Sequence, residues 1–210
     1  MGAKMEKVLI LLAGLPGTGK TFLGERLRER FGFFEQVSLD ALKEAEFDRC
    51  GFANMQEKRA LEQQSWTRYY ELMDKHMRAG RNILSDYPFS DKQKPRLASL
   101  AQQYGYRVLT VRLIGDLDVL FERQRVRDLD HSRHLGHLVS VYVPGQELAD
   151  RSRADLLLSR EEFVKRCTTR GYEEFALGQL YELDVTDYAK VDYSGLMEGI
   201  KQWTAEPSRY

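Results

Sequence analysis

Cysteine is scarce in this chain: Cys50 and Cys167 are the two thiols among 210 residues. Two thiols so far apart exclude a disulfide framework and, by themselves, a zinc cluster. Long apolar runs are also missing. The longest, Val8–Leu15, is too short to span a bilayer. Only Lys4 and Lys7 precede it, and a glycine-rich turn follows where a secretory leader would need its cleavage site. No Asn-x-Ser/Thr glycosylation site occurs. Neither sign of charge is in excess, since 32 Lys+Arg balance 32 Asp+Glu. That removes the simplest case for a protein that coats nucleic acid. The expectation is a soluble, reduced, cytoplasmic protein with no membrane partner.

What is present is ordinary globular composition, 42% apolar and 30% charged, which argues against wholesale disorder. The length suits one domain over residues 1–210. A chain of this size buries roughly 70–75% of its unfolded surface and needs no staples.

Strand and helix patterns alternate. Lys7–Ala13 reads as a buried strand without alternation, as at the centre of a parallel sheet. A helix over Thr21–Phe31 ends at Gly32. Phe33–Leu39 reads as a second strand, followed by a helix over Asp40–Phe47. Gln56–Ala79 is a longer helix with Leu61, Trp66, Tyr69, Tyr70, Met73 and Met77 near 3.6-residue spacing. Strands follow at Asn82–Asp86, Arg107–Ile114 and Tyr181–Val185. Further helices are expected at Lys92–Tyr104, Leu117–Arg127, near Glu161–Arg166, and at Tyr193–Trp203. The order implies an α/β fold with a parallel five-stranded sheet between helices. The one break in composition, residues 131–178, reads as a lid or insertion.

Gly14-Leu15-Pro16-Gly17-Thr18-Gly19-Lys20-Thr21 fits G-x-x-x-x-G-K-[ST] at every fixed position, after a strand and opening a helix. Its chemistry is that of a phosphate cradle. Glycines let successive N–H groups converge, and the helix start adds unpaired donors and a positive dipole end. Lys20 supplies a charge between β- and γ-phosphates, and Thr21 a hydroxyl to Mg²⁺. The motif resembles that of the P-loop NTPases, which implies ATP as ligand.

The branch is narrowed by what is missing. A GTPase would carry Asn-Lys-x-Asp, which is absent. A ring-forming ATPase would follow the carboxylate of the third strand with Glu, but Asp86 is followed by Tyr87. Asp40, Asp86 and the arginine-bearing stretch Leu120–Asp128 complete a pattern similar to a group of small P-loop kinases. That group includes zeta toxins, chloramphenicol phosphotransferase, gluconate kinase and polynucleotide 5′-kinases. The resemblance implies that Asp40 takes the proton of an attacking hydroxyl, and that the loop at Thr186 and Asp187 lies near the adenine. Asp40 also suits a helix N-cap. Asp86 suits either Mg²⁺, held through water, or substrate. Arg123, Arg127 and Arg133 are candidates for phosphate contact, while Arg125 reads as surface.

His131, His134 and His137 recur every three residues. The spacing fits neither a helical i, i+4 metal pair nor a zinc finger, and no acidic partner stands out, so a lid or substrate-contact segment is preferred to metal. Trp66, Tyr69, Tyr70 and Met73 read as core, with an acceptor pocket as the alternative. The expected activity is ATP- and Mg²⁺-dependent phosphorylation of a small-molecule hydroxyl. The alternatives are a polynucleotide 5′-hydroxyl kinase, for which the mixed charge of the insertion is poorly suited, and a non-catalytic ATP-binding regulatory module.

Overall fold

The computed structural model describes residues 7–205. Five strands form one all-parallel sheet: β1 (Val8–Gly14), β2 (Phe34–Gln36), β3 (Asn82–Asp86), β4 (Arg107–Ile114) and β5 (Gln179–Asp184), in the order β2-β3-β1-β4-β5. Seven α-helices connect and cover them: α1 (Lys20–Phe31), α2 (Leu39–Cys50), α3 (Met55–Arg78), α4 (Lys94–Tyr104), α5 (Leu117–Leu129), α6 (Arg160–Thr169) and α7 (Tyr193–Ala205).

The apolar run of β1 sits at the middle of the sheet because both of its faces are covered. Val8, Ile10 and Leu12 pack with Leu23 and Leu27 of α1 and with Leu196, Ile200 and Trp203 of α7. Leu9, Leu11 and Ala13 pack with Tyr69, Met73 and Met77 of α3 and with Leu97 of α4. Among the described residues no helix is long and apolar enough to cross a membrane.

The second strand is shorter than the expected Phe33–Leu39. Ser38 ends it by capping α2, its hydroxyl accepting from the Ala41 N–H at 3.5 Å. Asp40 therefore stands in the first turn of α2, and the cap is Ser38. The strand tip is fixed from beneath by polar contacts in the core. Tyr69 donates to Ser85 Oγ at 2.8 Å, and Ser85 donates in turn to the Val37 carbonyl at 2.6 Å.

Residues 131–178 are more ordered than their composition suggests. The first half packs on α2 and α3, with Leu135, Leu138, Val139, Tyr142 and Ala154 against Phe47, Phe52 and Leu61. Phe52 and Tyr142 exchange both backbone hydrogen bonds, each at 2.8 Å. The second half contains α6, opened by a capping box at Ser159 and Glu162. Its Phe163 and Cys167 pack with Leu120 of α5 and with Leu15 of the phosphate turn.

Candidate active site

The turn between β1 and α1 closes around glycines that no other residue can replace. Gly14 has φ 115° and Gly17 φ 82°. A Cβ at Gly14 would lie 2.0 Å from the Leu113 carbonyl oxygen, and one at Gly17 2.5 Å from that of Leu120. The backbone is thus pressed against both β4 and α5, with its N–H groups at the carboxyl edge of the sheet, where ligands bind in open α/β folds. Gly19 (φ 81°) is N-cap to α1 without a side-chain cap, which leaves helix-start donors for an anion.

Lys20 folds back over this turn. Its ammonium donates to the carbonyls of Gly14 at 3.0 Å and Leu15 at 2.7 Å, and to Thr18 Oγ1 at 3.3 Å. Burial, reinforced by the charge of Arg127, lowers its pKa to about 8, against the opposing pull of Asp86 and Asp40. Thr21 donates its hydroxyl to Asp86 Oδ2 at 3.0 Å. The other oxygen, Asp86 Oδ1, is buried without a hydrogen-bond partner. Burial raises the Asp86 carboxyl above its ordinary value.

A hydroxyl and a carboxylate with an unused buried oxygen, beside a phosphate cradle, make a hard oxygen donor set that fits Mg²⁺. Thr21 and Asp86 are the residues that would hold it. Bound there with nucleotide, the ion would neutralise phosphate charge.

Asp40, in the first turn of α2, acts on this turn through its charge, which raises the pKa of Lys20. Arg133 Nη1 lies 3.7 Å from Asp40 Oδ2, and Lys43 Nζ lies 3.9 Å from Asp40 Oδ1. Burial pushes the Asp40 carboxyl upward, but the positive charges of His137, Lys43, Arg133 and Arg127 outweigh it and bring its pKa to about 2. His137 is itself lowered by burial, so it contributes charge only in acid.

Arg133 is also 3.7 Å from Glu44 Oε1 and 3.8 Å from Asp128 Oδ1. Three carboxylates thus surround one guanidinium, none close enough for a hydrogen bond, and its buried Nε has no hydrogen-bond partner. Arg127 reaches Gln124 Oε1 at 2.9 Å and Asp128 Oδ1 at 3.3 Å.

Arg123 takes another direction. It donates to the carbonyls of Val185 at 2.6 Å and Thr186 at 2.8 Å, with its guanidinium 3.7 Å from the Tyr188 ring centroid. Arg123 and Arg127, four residues apart on α5, therefore meet no common partner. Arg125 is on the surface with Glu122, at 3.2 Å. In the loop after β5, Thr186 Oγ1 accepts from the Asp116 N–H and Asp187 caps the turn at Ala189. That loop carries Tyr188 to Gly19, whose Cβ position lies 2.8 Å from the Tyr188 hydroxyl.

Two of the three histidines do have acidic partners, contrary to expectation. His134 Nε2 lies 3.0 Å from Asp48 Oδ1, and His137 Nε2 lies 2.7 Å from Glu44 Oε1. Asp40, Glu44 and Asp48 recur at i, i+4 and i+8 on α2, so one face of that helix presents carboxylates to the following insertion. His131 stays exposed. Among the described residues no group of three His, Cys, Asp or Glu side chains is placed to hold a metal.

Tyr69 and Met73 are core, as expected. Trp66 and Tyr70 are only partly buried and stack at 5.6 Å, with Tyr87 edge-on to Trp66 at 5.1 Å. Lys43, Glu44, Tyr87 and Asp128 were not singled out by sequence. The one available signal was the spacing of Lys43 and Glu44 from Asp40 on the same helix face.

A glycine turn under a helix start, a lysine laid across it and a Thr–Asp pair at the edge of a 2-3-1-4-5 parallel sheet define a P-loop nucleotide-binding protein. The chain belongs to the AAA_33 family of AAA domains, whose profile matches residues 9–138. None of the curated proteins matches it. Among solved structures it is similar to a kinase candidate from Chloroflexus aurantiacus, with 25% identity, a TM-score of 0.72 and coverage of 95% of this chain and 98% of that one. A sugar kinase from Janibacter shares the fold at 16% identity and TM-score 0.53, covering 94% of each chain. So does a gluconokinase from Sinorhizobium meliloti at 13% identity and TM-score 0.51, covering 96% of this chain and 99% of that one.

Proposed function

We propose that the chain is an ATP- and Mg²⁺-dependent phosphotransferase that moves the γ-phosphate to the hydroxyl of a small molecule. The observation that carries this reading is Asp40: an ionised carboxylate beside Arg133 whose charge acts on Lys20 of the phosphate turn, a position suited to a base for an acceptor hydroxyl. The absence of Glu after Asp86 favours an alcohol over water as the nucleophile. The likeness to a kinase candidate over nearly the whole chain supports the same class.

On this reading the P-loop N–H groups and Lys20 bind the triphosphate, with Lys20 exchanging carbonyl partners for phosphate oxygens. The acceptor oxygen forms a bond to the γ-phosphorus as the bond from that phosphorus to the β-γ bridging oxygen breaks. The hydroxyl proton passes to Asp40, and ADP leaves. Arg127 and Arg133 take charge from the transferring group. Arg123 holds the loop at Val185–Tyr188 beside the nucleotide rather than meeting the phosphates in this conformation.

The chain works as one unit, with residues 131–178 as the cover that excludes water. A small acceptor suits that cover. Arg160 is committed to Asp118 at 2.5 Å, and Arg151 is buried against the His131 carbonyl, so neither lines an open basic groove for a polynucleotide. Cys50 and Cys167 are free thiols, in keeping with the reducing cytoplasm.

The test is transfer of label from γ-labelled ATP into a metabolite pool. Asp40→Asn should keep ATP binding and lose roughly 10²–10⁴-fold in transfer. Unchanged transfer in that variant removes Asp40 from the mechanism.

A further inference from the structure

Lys43 follows Asp40 by one helical turn, with its side chain 10% exposed. Its ammonium makes one long hydrogen bond, 3.4 Å to the Tyr87 hydroxyl. Asp40, at 3.9 Å, is too distant for another. A buried ammonium ordinarily uses its donors, because each unmet N–H carries a desolvation cost. Lys58 shows the usual solution in the same protein. It is also buried, and donates to the carbonyls of Val139 at 3.0 Å and His137 at 3.4 Å. Lys58 is therefore fastened to backbone, whereas Lys43 retains donor capacity on the acceptor side of Asp40.

An aromatic wall stands beside that ammonium. The Lys43 nitrogen lies 5.1 Å from the Tyr87 ring centroid. Trp66 meets Tyr87 edge-on and stacks with Tyr70. None of the three rings is fully buried, unlike Tyr69 and Phe89 behind them. Arg96 lies over the Tyr70 ring at 4.9 Å, at the far end of the wall from Lys43 in the order Lys43, Tyr87, Trp66, Tyr70. A buried cation beside a partly open aromatic surface is the composition of a small-ligand site, apolar over most of its wall with few polar anchors.

Resting on the kinase reading, we propose that Lys43, Tyr87, Trp66 and Tyr70 form the acceptor subsite, and that it selects an alcohol bearing a negative charge within a few bonds of the hydroxyl that reacts. The 3.9 Å between Lys43 and Asp40 sets that spacing, since one ligand must meet both. The charge preference follows from the neighbours. Asp40 at 3.9 Å and the nearby charge of Glu62 hold Lys43 as an ammonium without hydrogen-bonding it, which leaves its donors to an anion that can approach more closely. A charged acceptor also forms a stronger hydrogen bond to an ammonium than a neutral hydroxyl does.

The experiment uses pairs of alcohols of which one is anionic and the other neutral: gluconate with sorbitol, glycerol 3-phosphate with glycerol, and 4-(hydroxymethyl)benzoate with benzyl alcohol. Binding is read by tryptophan fluorescence with an ATP analogue and Mg²⁺ present. Trp66 lies in the wall, whereas Trp203 is buried on the other face of the sheet and serves as the silent reference. At least one charged member should bind ten times more tightly than its neutral partner. Lys43→Met should abolish that preference, and Lys43→Arg should keep most of it. Equal binding within every pair, no response to any probe, or a preference that survives in Lys43→Met overturns the proposal. Should Lys43→Met fail to fold, Lys43→Gln gives the same comparison. Phosphoryl transfer is read separately on the same panel. Lys43-dependent binding without transfer keeps the subsite and removes the kinase reading. Transfer without charge preference does the reverse.

Discussion

Binding of ATP at alkaline pH should draw a proton out of solution. In the nucleotide-free chain Lys20 rests on two neutral carbonyls, at 3.0 and 2.7 Å. Burial, and then the charge of Arg127, holds its pKa at about 8. Phosphate oxygens in place of those carbonyls favour the ammonium and raise that pKa again. A group titrating at about 8 is about 90% protonated at pH 7 and about 10% protonated at pH 9. With the ammonium fully protonated in the complex, uptake rises from about 0.1 proton at pH 7 to about 0.9 at pH 9. The sign follows directly: high pH empties the free lysine, binding has to refill it, and affinity falls as pH rises. The loss should be about eightfold to tenfold between pH 9 and 10 and almost nothing between pH 6 and 7. Calorimetry in two buffers of different ionisation enthalpy, with Mg²⁺ present, measures the uptake. Lys20→Met should bind weakly and without this pH dependence. Equal uptake at pH 7 and 9, or the same uptake in Lys20→Met, refutes the argument.

Two other substitutions probe the neighbouring parts. Asp86→Asn keeps the hydrogen bond from Thr21 but removes the charge, so it should lose the Mg²⁺-dependent part of ATP affinity; titration of Mg²⁺ at fixed ATP analogue reads this, and an unchanged metal requirement excludes Asp86 as a ligand. Gly136→Ala would set a Cβ 2.6 Å from Phe47 Cδ2 and 3.0 Å from the His134 ring. Overpacking of this kind costs about 1–3 kcal/mol, and each kcal/mol should lower the melting temperature by roughly 2–4 °C in a chain of this size. An unaltered melting curve would mean that residues 133–139 rest only loosely on α2.

The parts of the fold that could be read from sequence are those whose signals are local. β3 and β4 fall at Asn82–Asp86 and Arg107–Ile114, as expected, because Gly80, Pro88 and Gly105 mark their limits. The P-loop was legible because its glycines, strand and helix are contiguous. β2 was overextended because Val37 and Leu39 look like strand while Ser38 between them acts as a cap. The insertion was opaque for a different reason: its order comes from pairs far apart in the chain. Tyr142 joins Phe52, and His137 joins Glu44 across 93 positions. Periodicity carries no trace of such partners. Lys43 was missed because a lysine on a helix surface ordinarily faces water, whereas this one is buried in contact with Tyr87, far away in sequence.

The cations of this site share a design that bears on how the chemistry is switched on. Lys20 is parked on backbone carbonyls, and Arg133 is divided among Asp40, Glu44 and Asp128, none of them closer than 3.7 Å. Each of these contacts is weaker than one to a phosphate, which accepts charge-assisted hydrogen bonds at closer range. On the proposed reading, arrival of the triphosphate recruits these groups without unfolding anything around them. The consequence for Asp40 is specific. Its carboxyl is held near 2 by surrounding positive charge, a poor setting for accepting a proton. A guanidinium drawn from Asp40 toward the γ-phosphate removes part of that charge, and the basicity of Asp40 rises in the same step. On the proposed reading, the carboxylate becomes a competent base only when there is a phosphoryl group to transfer. Glu44 and Asp128, which share Arg133, keep the guanidinium from locking onto Asp40 alone.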